Sequence, residues 1–236
     1  DGQSYPLLKT FLSSLSITAD NDSRTYDGTS YSGGNGIAYS PAGPNMGLIY
    51  GAQTYGGTAQ GATDAGTYVL TPQGLYSSQM GYDITYVSGT LTVSPAALSL
   101  TITASNQNKT YGTAANLGTT AFTSNVTSGT LYGSDAPTGV TLTSAAAAGT
   151  ATVGPYTITP SGTTGIGLGN YTITYTYVDG TLTVTPAALT ITANNRSKYN
   201  GSLLDLGTTA FTITTGTLYN SDAISGVTLA SDGADA

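Results

Sequence analysis

The sequence predicts an all-β protein made of tandem small β-sandwich modules, immunoglobulin-like or grasp-like, arranged end to end. Alternation is the first observation: in residues 171–177 Tyr and Ile occupy every second position and Thr lies between them, which places the two kinds of side chain on opposite faces of a strand. The second is turn chemistry, since Asp179-Gly180 and Ser88-Gly89 separate alternating segments and predict hairpin turns. The third is that such segments repeat along the chain, whereas no segment has the 3.6-residue period of a helix.

Internal repeats divide the chain into modules. The segment Leu-x-Ile-Thr-Ala begins at Leu15, Leu100 and Leu189, so its copies are spaced by 85 and then 89 residues. A period of this kind indicates copies of one supersecondary unit. We predict four parts: residues 1–14 as the end of a preceding structure or a linker, residues 15–97 and 98–188 as complete modules, and residues 189–236 as an incomplete module.

The third module lacks the C-terminal part of the repeat. Residues 206–212 repeat residues 117–123, but no later segment corresponds to about 149–188. A module without its last strands leaves unpaired edges and half a core. We therefore expect an artificial boundary of the chain here; the alternative is that a strand from a neighbouring chain completes the module.

The links between modules are short and contain proline. We expect strands to end at Val93 and Val184 and to resume after Ser-Pro-Ala-Ala or Thr-Pro-Ala-Ala. Proline restricts its own φ and biases the preceding residue to extended backbone, which predicts semi-rigid joints. Strands of eight to ten residues at about 3.3 Å per residue give modules of roughly 30 Å, so the array is expected to form a stalk.

Composition argues against several classes of function. The chain has no His, no Cys and no Glu, and the absence of His and Cys removes Ser-His-Asp triads, Cys nucleophiles and the common zinc sites. We predict that it is not an enzyme and has no cofactor, because an Asp-based glycan hydrolase would need a carboxylate pair that no spacing proposes. A net charge of −7 disfavours nucleic acid as a partner, and no apolar run reaches the ~18 residues of a membrane span.

Several segments resemble known repeat domains. The second and third modules resemble MBG domains of the YGX type, and the first module resembles the related YDG domain; the segments that carry this resemblance are residues 100–104, 109–112, 170–175 and 179–184 for MBG, and residues 25–29 and 82–86 for YDG. Both families occur as tandem arrays in bacterial exoproteins similar to filamentous haemagglutinins, and residues 1–12 resemble the closing rung of a parallel β-helix in such proteins. The resemblance implies a secreted or cell-surface location and a role in adhesion or biofilm formation.

Three carboxylates form a candidate metal site. Asp20, Asp22 and Asp27 are hard oxygen ligands near the entrance of the first module and predict calcium as a possible ion. The corresponding loops of the other modules lack these carboxylates. The alternative is a polar turn whose Asn and Asp side chains bond their own backbone.

Tyrosines of an irregular loop form a candidate ligand site. Tyr31, Tyr50 and Tyr55 could stack on sugar rings, whereas alternation with Thr makes most tyrosines core residues. An isopeptide bond from Lys109 or Lys198 is a further hypothesis. The leading hypothesis is a structural spacer that projects an adhesive domain of its parent protein. Through that domain the parent protein would contact host or matrix glycans or another cell surface, and the direct partners of each module would be the neighbouring modules of the same chain. The alternative is a carbohydrate- or cell-contact binding module.

Overall fold

The chain is built from strands. A computed structural model describes residues 9–235, in which the helical content is limited to short 3₁₀ turns at Lys9–Phe11, Met46–Leu48 and Leu168–Asn170. The all-β prediction is confirmed. The prediction of a preceding β-helix end or linker at residues 1–14 lies largely outside the described residues. Within residues 9–235 no helix has the length and apolar character that crossing a membrane requires.

The chain divides into two compact units. Unit 1 takes in the chain up to Leu100 together with Val126–Thr138 and Thr164–Tyr175. Unit 2 takes in Thr101–Asn125, Gly139–Thr163 and the chain from Thr176 onward. The second sequence module therefore contributes residues to both units.

The first module forms two sheets within unit 1. The strands are β1 (Ser13–Ala19), β2 (Asp22–Thr25), β3 (Ile37–Ser40), β4 (Ile49–Gly56), β5 (Gly66–Ser77), β6 (Tyr82–Val87) and β7 (Gly89–Ser94). One sheet has the order β3-β1-β6, with β1 antiparallel to β3 and parallel to β6. The other sheet has the order β2-β7-β5-β4, with β2 parallel to β7 and β5 antiparallel to both neighbours.

The inward residues of these two sheets form one core. Leu15 and Ile17 alternate with more exposed serine in β1 and are fully buried, as are Leu70 of β5 and Leu91 of β7. Strand β1 contacts both β5 and β7. Burial of each such side chain stabilises the fold by about 1.5–3 kcal/mol, so the period-two pattern is what joins the sheets.

The second module repeats this strand order. Its strands are β8 (Ala96–Ala104), β9 (Gln107–Thr110), β10 (Phe122–Ser128), β11 (Ala136–Thr143), β12 (Gly154–Ile166), β13 (Tyr171–Val178) and β14 (Gly180–Thr185). Its sheets have the orders β10-β8-β13 and β11-β12-β14-β9, and β14 is antiparallel to β12 and parallel to β9. Ile102, Ile158 and Leu182 are fully buried at positions that match the core of the first module.

The third module contributes one strand pair to unit 2. Strand β15 (Thr190–Ala193) is antiparallel to β16 (Phe211–Thr215). Strand β15 corresponds to β8 of the second module and β16 to β10. The described part of the chain after β16 contains no further strand.

The hairpin prediction at Asp179-Gly180 and Ser88-Gly89 is wrong. Strand β13 lies beside β8, whereas β14 lies in the other sheet between β12 and β9. The glycines serve close approach instead, because a Cβ at Gly180 would lie 2.6 Å from the carbonyl oxygen of Ala104, and one at Gly89 would lie 2.4 Å from that of Ala19. A glycine that closes a turn and one that admits a neighbouring backbone look alike in sequence.

The first link between modules is shorter than predicted. Strand β7 ends at Ser94 and β8 begins at Ala96, so Pro95 alone separates them. In the second link, β14 ends at Thr185 and β15 begins at Thr190. The Pro-Ala-Ala sequence is therefore partly strand at the first link.

Candidate functional site

The turn after β2 presents a tyrosine from the first module. Tyr26 donates its backbone N–H to the carbonyl of Ser94 at 2.8 Å. Asp27 accepts from the backbone N–H of Thr29 at 2.9 Å and from its hydroxyl at 2.7 Å, and the Arg24 guanidinium contacts the same carboxylate. The Thr29 hydroxyl is the main cause that lowers the pKa of Asp27. The turn is thus held in one shape with the Tyr26 side chain projecting from it.

Two tyrosine hydroxyls converge on one carboxylate. Tyr26 donates to Oδ2 of Asp135 at 2.7 Å, and Tyr171 donates to the same oxygen at 2.8 Å. The Tyr171 hydroxyl also accepts from the backbone N–H of Tyr132 at 2.8 Å. Hydrogen bonds to an ionised acceptor are about twice as strong as neutral ones, so Asp135 is the polar centre of a contact between the first and second modules within unit 1.

The Tyr26 ring packs against two others. Its centroid lies 5.7 Å from that of Tyr132 and 5.3 Å from that of Tyr171, with interplanar angles of 81° and 82°. The two partner rings are nearly parallel. Edge-to-face pairs contribute about 0.5–1.5 kcal/mol each beyond area burial, and Tyr26 is only 6% exposed. We call Tyr26, Tyr132, Asp135 and Tyr171 the first joint.

The burial of the first joint changes the acidity of its phenols. The hydrogen bond to Asp135 is the main cause that raises the pKa of Tyr26, and burial is the main cause that raises the pKa of Tyr171. Both phenols therefore stay protonated to higher pH than a free tyrosine. The joint is formed by neutral donors around a carboxylate.

Two further contacts surround the first joint. Asn170 is buried, donates to the Asp64 carboxylate at 3.0 Å and accepts from the backbone N–H of Ala65 at 2.8 Å. Gly28 has φ of 73°, and a Cβ there would lie 2.7 Å from Cβ of Tyr132. Glycine is required at this position for both its conformation and the space it leaves.

Unit 2 contains part of the same arrangement between the second and third modules. Tyr111 donates its N–H to the carbonyl of Thr185 at 2.8 Å, as Tyr26 does to that of Ser94. Its ring meets the Tyr219 ring edge to face at a centroid distance of 6.3 Å and an angle of 87°. A Cβ at Gly112, where φ is 86°, would lie 2.0 Å from the Tyr219 ring. We call Tyr111, Gly112 and Tyr219 the second joint.

A cavity lies beside the two tyrosines of the second joint. A space of about 210 Å³ beside Tyr111 and Tyr219 is also lined by Asp222. Asp222 follows Tyr219 by the same three positions as Asp135 follows Tyr132. The described third module has no counterpart of β13, the strand from which Tyr171 enters the first joint.

Comparison with known families finds a match in the second module. Residues 100–183 match the family model of the MBG domain (YGX type). The match covers about a third of the chain and confirms the predicted resemblance of these residues to MBG domains. The match includes Asp135 and Tyr171 of the first joint and Tyr111 of the second. No curated protein matches the chain, and the resemblance of residues 15–97 to a YDG domain stays a prediction.

The candidate calcium ligands lie outside residues 100–183 and make protein contacts. Asp22 accepts from the backbone N–H of Ser23 and from the Tyr31 hydroxyl, both at 2.7 Å, and the Asp27 carboxylate belongs to the turn described above. Within residues 9–235 no three acidic side chains lie together in a group that could hold a metal ion. The structure therefore does not assemble Asp20, Asp22 and Asp27 into one site.

The candidate ligand tyrosines lie in three different settings. Tyr31 is buried, and burial followed by its hydrogen bond to Asp22 raises its pKa to about 12. Tyr55 accepts from the backbone N–H of Gly36 at 3.0 Å. Tyr50 is exposed and pairs across β4 and β5 with Tyr76, with ring centroids 5.9 Å apart. Of the three predicted residues, Tyr50 is the one that offers a ring face to solvent.

The two lysines of the isopeptide hypothesis contact backbone carbonyls. Lys109 of the second module is buried, donates to the carbonyl of Thr113 at 3.0 Å and contacts that of Ala148. Lys198 contacts the backbone carbonyl of Asp235. In the part of the chain that the structure describes, neither ammonium group has an Asn or Asp side-chain partner, so the isopeptide hypothesis has no geometric support.

Sequence reasoning did not find the residues of the joints. Asp135 lies in a loop and Asn170 ends the 3₁₀ turn Leu168–Asn170, and neither was singled out as a site. The signal that could have found Asp135 is the repeated loop Gly-Thr-Leu-Tyr-x-Ser-Asp at residues 129–135 and 216–222. Its Tyr and Asp recur outside any strand, where core packing does not require them.

Proposed function

We propose that this chain is a spacer of a bacterial adhesin, in which successive repeats are fixed to one another by tyrosine joints. MBG domains occur in bacterial surface proteins of adhesin type. The observation that carries the proposal is that the first joint recurs, with the same Tyr, Gly and partner Tyr, as the second joint. A contact used twice in one chain serves the array and not one ligand.

The chemistry of the joints suits a mechanical role. Each joint adds contacts to a covalent link that contains one proline, and the first adds a carboxylate held by two hydroxyls. Such contacts restrict rotation about the link, because any bend must break a hydrogen bond to a charged group that is worth about 1.5–3 kcal/mol. The repeats would therefore project a distal domain with little bending.

The spacer role also suggests the architecture, the location and the partners of the modules. The modules would be small β-sandwiches arranged end to end, the first of them of YDG type, in a protein that is secreted or displayed on the cell surface. Neighbouring modules would be the direct partners, and the parent protein would contact glycans or another cell.

Composition and surface chemistry support the proposal that the chain is not an enzyme and carries no cofactor. The chain has no His or Cys. A shallow concavity of about 650 Å³ in unit 2 is lined by hydroxyl-bearing and apolar side chains and by no carboxylate. Acid–base catalysis requires a titratable group within reach of the substrate, and the Tyr156 phenol is the one titratable side chain among these lining residues.

Small-angle X-ray scattering on the chain tests the spacer proposal. A rod of roughly 90 Å, which is three modules of about 30 Å, has a radius of gyration of about 26 Å, whereas a compact chain of this length has one of about 18 Å. We expect the larger value, with a broader distance distribution in Tyr26→Ala and an unchanged one in Tyr199→Ala. A compact particle would reject the proposal.

The exposed pair Tyr50 and Tyr76 favours a second candidate function, glycan binding by the first module. Their side chains are 43% and 57% exposed, and aromatic faces with a polar tip stack on sugar rings. Binding of the chain to a glycan array, lost in the double variant Tyr50→Ala, Tyr76→Ala and kept in Tyr199→Ala, would support it. Equal signals for all three proteins would argue against it.

A further inference from the structure

A turn of the third module shares its sequence pattern and its glycine conformation with the turns that form the two joints. Residues 198–201 read Lys-Tyr-Asn-Gly and align with residues 24–28 and 109–112. Gly201 has φ of 77°, in the same left-handed region as Gly28 and Gly112. Lys198 contacts a backbone carbonyl, as Lys109 does. The glycine conformation and the cation contact therefore recur a third time, whereas the described third module lacks the last strand whose carbonyl accepts from the tyrosine N–H in the other two turns.

The surroundings of this third turn differ from those of the first two. Tyr199 is 88% exposed, whereas Tyr26 is 6% exposed. A Cβ at Gly201 would have no described atom within 4 Å, whereas at Gly28 and Gly112 it would meet a tyrosine of the following repeat. The third turn therefore presents the same surface with nothing described against it.

The other joints show what covers such a surface. In each, the tyrosine that packs against the turn glycine comes from the loop Gly-Thr-Leu-Tyr-x-Ser-Asp, at residues 129–135 in the first joint and at 216–222 in the second. We propose that the Tyr199–Gly201 turn is a docking surface for a further MBG-type repeat, which presents this loop to it. The proposal rests on the spacer function and names the partner of its repeating contact.

The contacts in the first joint define the partner's chemistry. The tyrosine of its loop packs against Gly201, and the aspartate three positions later accepts from the Tyr199 hydroxyl as Asp135 does from Tyr26. A residue with a side chain at position 201 would prevent the approach, because φ is positive there and the tyrosine needs the space of the missing Cβ. The surface is thus specific for a repeat that carries both residues.

The test extends the chain after Ala236 with a copy of residues 150–188, to complete the third module, and then a copy of residues 98–188. Nitration of tyrosine by tetranitromethane, mapped by peptide mass spectrometry, reports the accessibility of Tyr199. In the 236-residue chain Tyr199 is expected to react quickly and Tyr26 slowly. In the extended chain Tyr199 is expected to react at least about tenfold more slowly, since a docked phenol reacts only when the joint opens.

Two variants of the extended chain make the test specific. Gly201→Val and alanine at the added copy of Asp135 should each restore fast nitration of Tyr199, while Gly201→Val should leave Tyr199 unchanged in the 236-residue chain. Fast nitration of Tyr199 in the extended chain, with slow amide exchange in the added repeat to show that it is folded, would overturn the proposal. An elongated particle with a reactive Tyr199 rejects the docking surface alone, whereas a compact particle with a protected Tyr199 rejects the spacer alone.

Discussion

The second and third modules carry the same segments in two different settings. Ile102 lies in β8, between β10 and β13, and is fully buried, whereas Ile191 of the identical segment lies in β15, is paired with β16 within the described residues, and is 40% exposed. The local sequence is thus sufficient for a strand pair. A closed core also requires the strands that correspond to β12, β13 and β14, so burial of this segment is a property of the complete repeat.

The largest expected effect is in the core, where Ile102→Ala and Ile191→Ala are compared directly. Ile102→Ala removes buried methyl groups and leaves a cavity, and should lower the free energy of unfolding by about 2–5 kcal/mol. Ile191→Ala should change it by less than about 1 kcal/mol because the side chain is half exposed. Amide hydrogen exchange in β8 and β15 measures each separately. Equal effects at the two positions would contradict the difference in burial.

Lys109 and Lys198 occupy corresponding positions of the second and third modules and extend the comparison to a polar residue. Lys109→Met keeps the aliphatic stem but leaves the carbonyls of Thr113 and Ala148 without their donor. We expect a loss of about 1–3 kcal/mol in the stability of unit 2, as for other buried groups that lose a partner. The matched variant Lys198→Met should cost less than about 0.5 kcal/mol. Urea unfolding of both variants measures the difference. An unchanged free energy of unfolding in Lys109→Met would show that burial of the charge destabilises unit 2 by as much as its hydrogen bonds stabilise it.

A smaller effect is expected when one hydroxyl is removed from the first joint. Tyr26→Phe keeps the ring packing and removes one of the two donors to Asp135, which should cost about 1.5 kcal/mol. Tyr199→Phe is the matched exposed control and should be neutral. Differential scanning calorimetry compares the two, and a neutral Tyr26→Phe would mean that ring packing alone stabilises the joint.

The alternating segments predicted the strands well because a period of two is a local property. Residues 15–19 and 171–177 lie in β1 and β13 as expected. The sheet to which each strand belongs was not predictable in the same way, since β13 and β14 are adjacent in sequence and lie in different sheets. Pairing depends on residues far along the chain, and a local pattern carries no information about them.

The candidate site was predictable only from repetition. The residues joined by the Tyr26–Asp135 hydrogen bond are 109 positions apart, so no spacing motif could reveal the contact. Tyr31 was a candidate ligand residue with a core position as the alternative, and it lies buried against Asp22. Loop residues contribute to the core of this fold, which alternation alone does not indicate.

The last expected effect is confined to high pH and separates buried from exposed tyrosines. Burial and Asp22 raise the pKa of Tyr31 to about 12 from an ordinary value of 10.0. Below pH 10 this phenol is protonated in both the folded and the unfolded chain, so its contribution to stability is complete. Between pH 10 and about 12 the unfolded chain ionises first, which favours unfolding. The melting temperature of unit 1 should therefore fall over this window. Tyr31→Phe should reduce the dependence of the melting temperature on pH, whereas Tyr199→Phe should not. A pH profile identical in Tyr31→Phe and the unaltered chain would show that other groups, such as Tyr26 and Tyr171 of the first joint, control the alkaline transition.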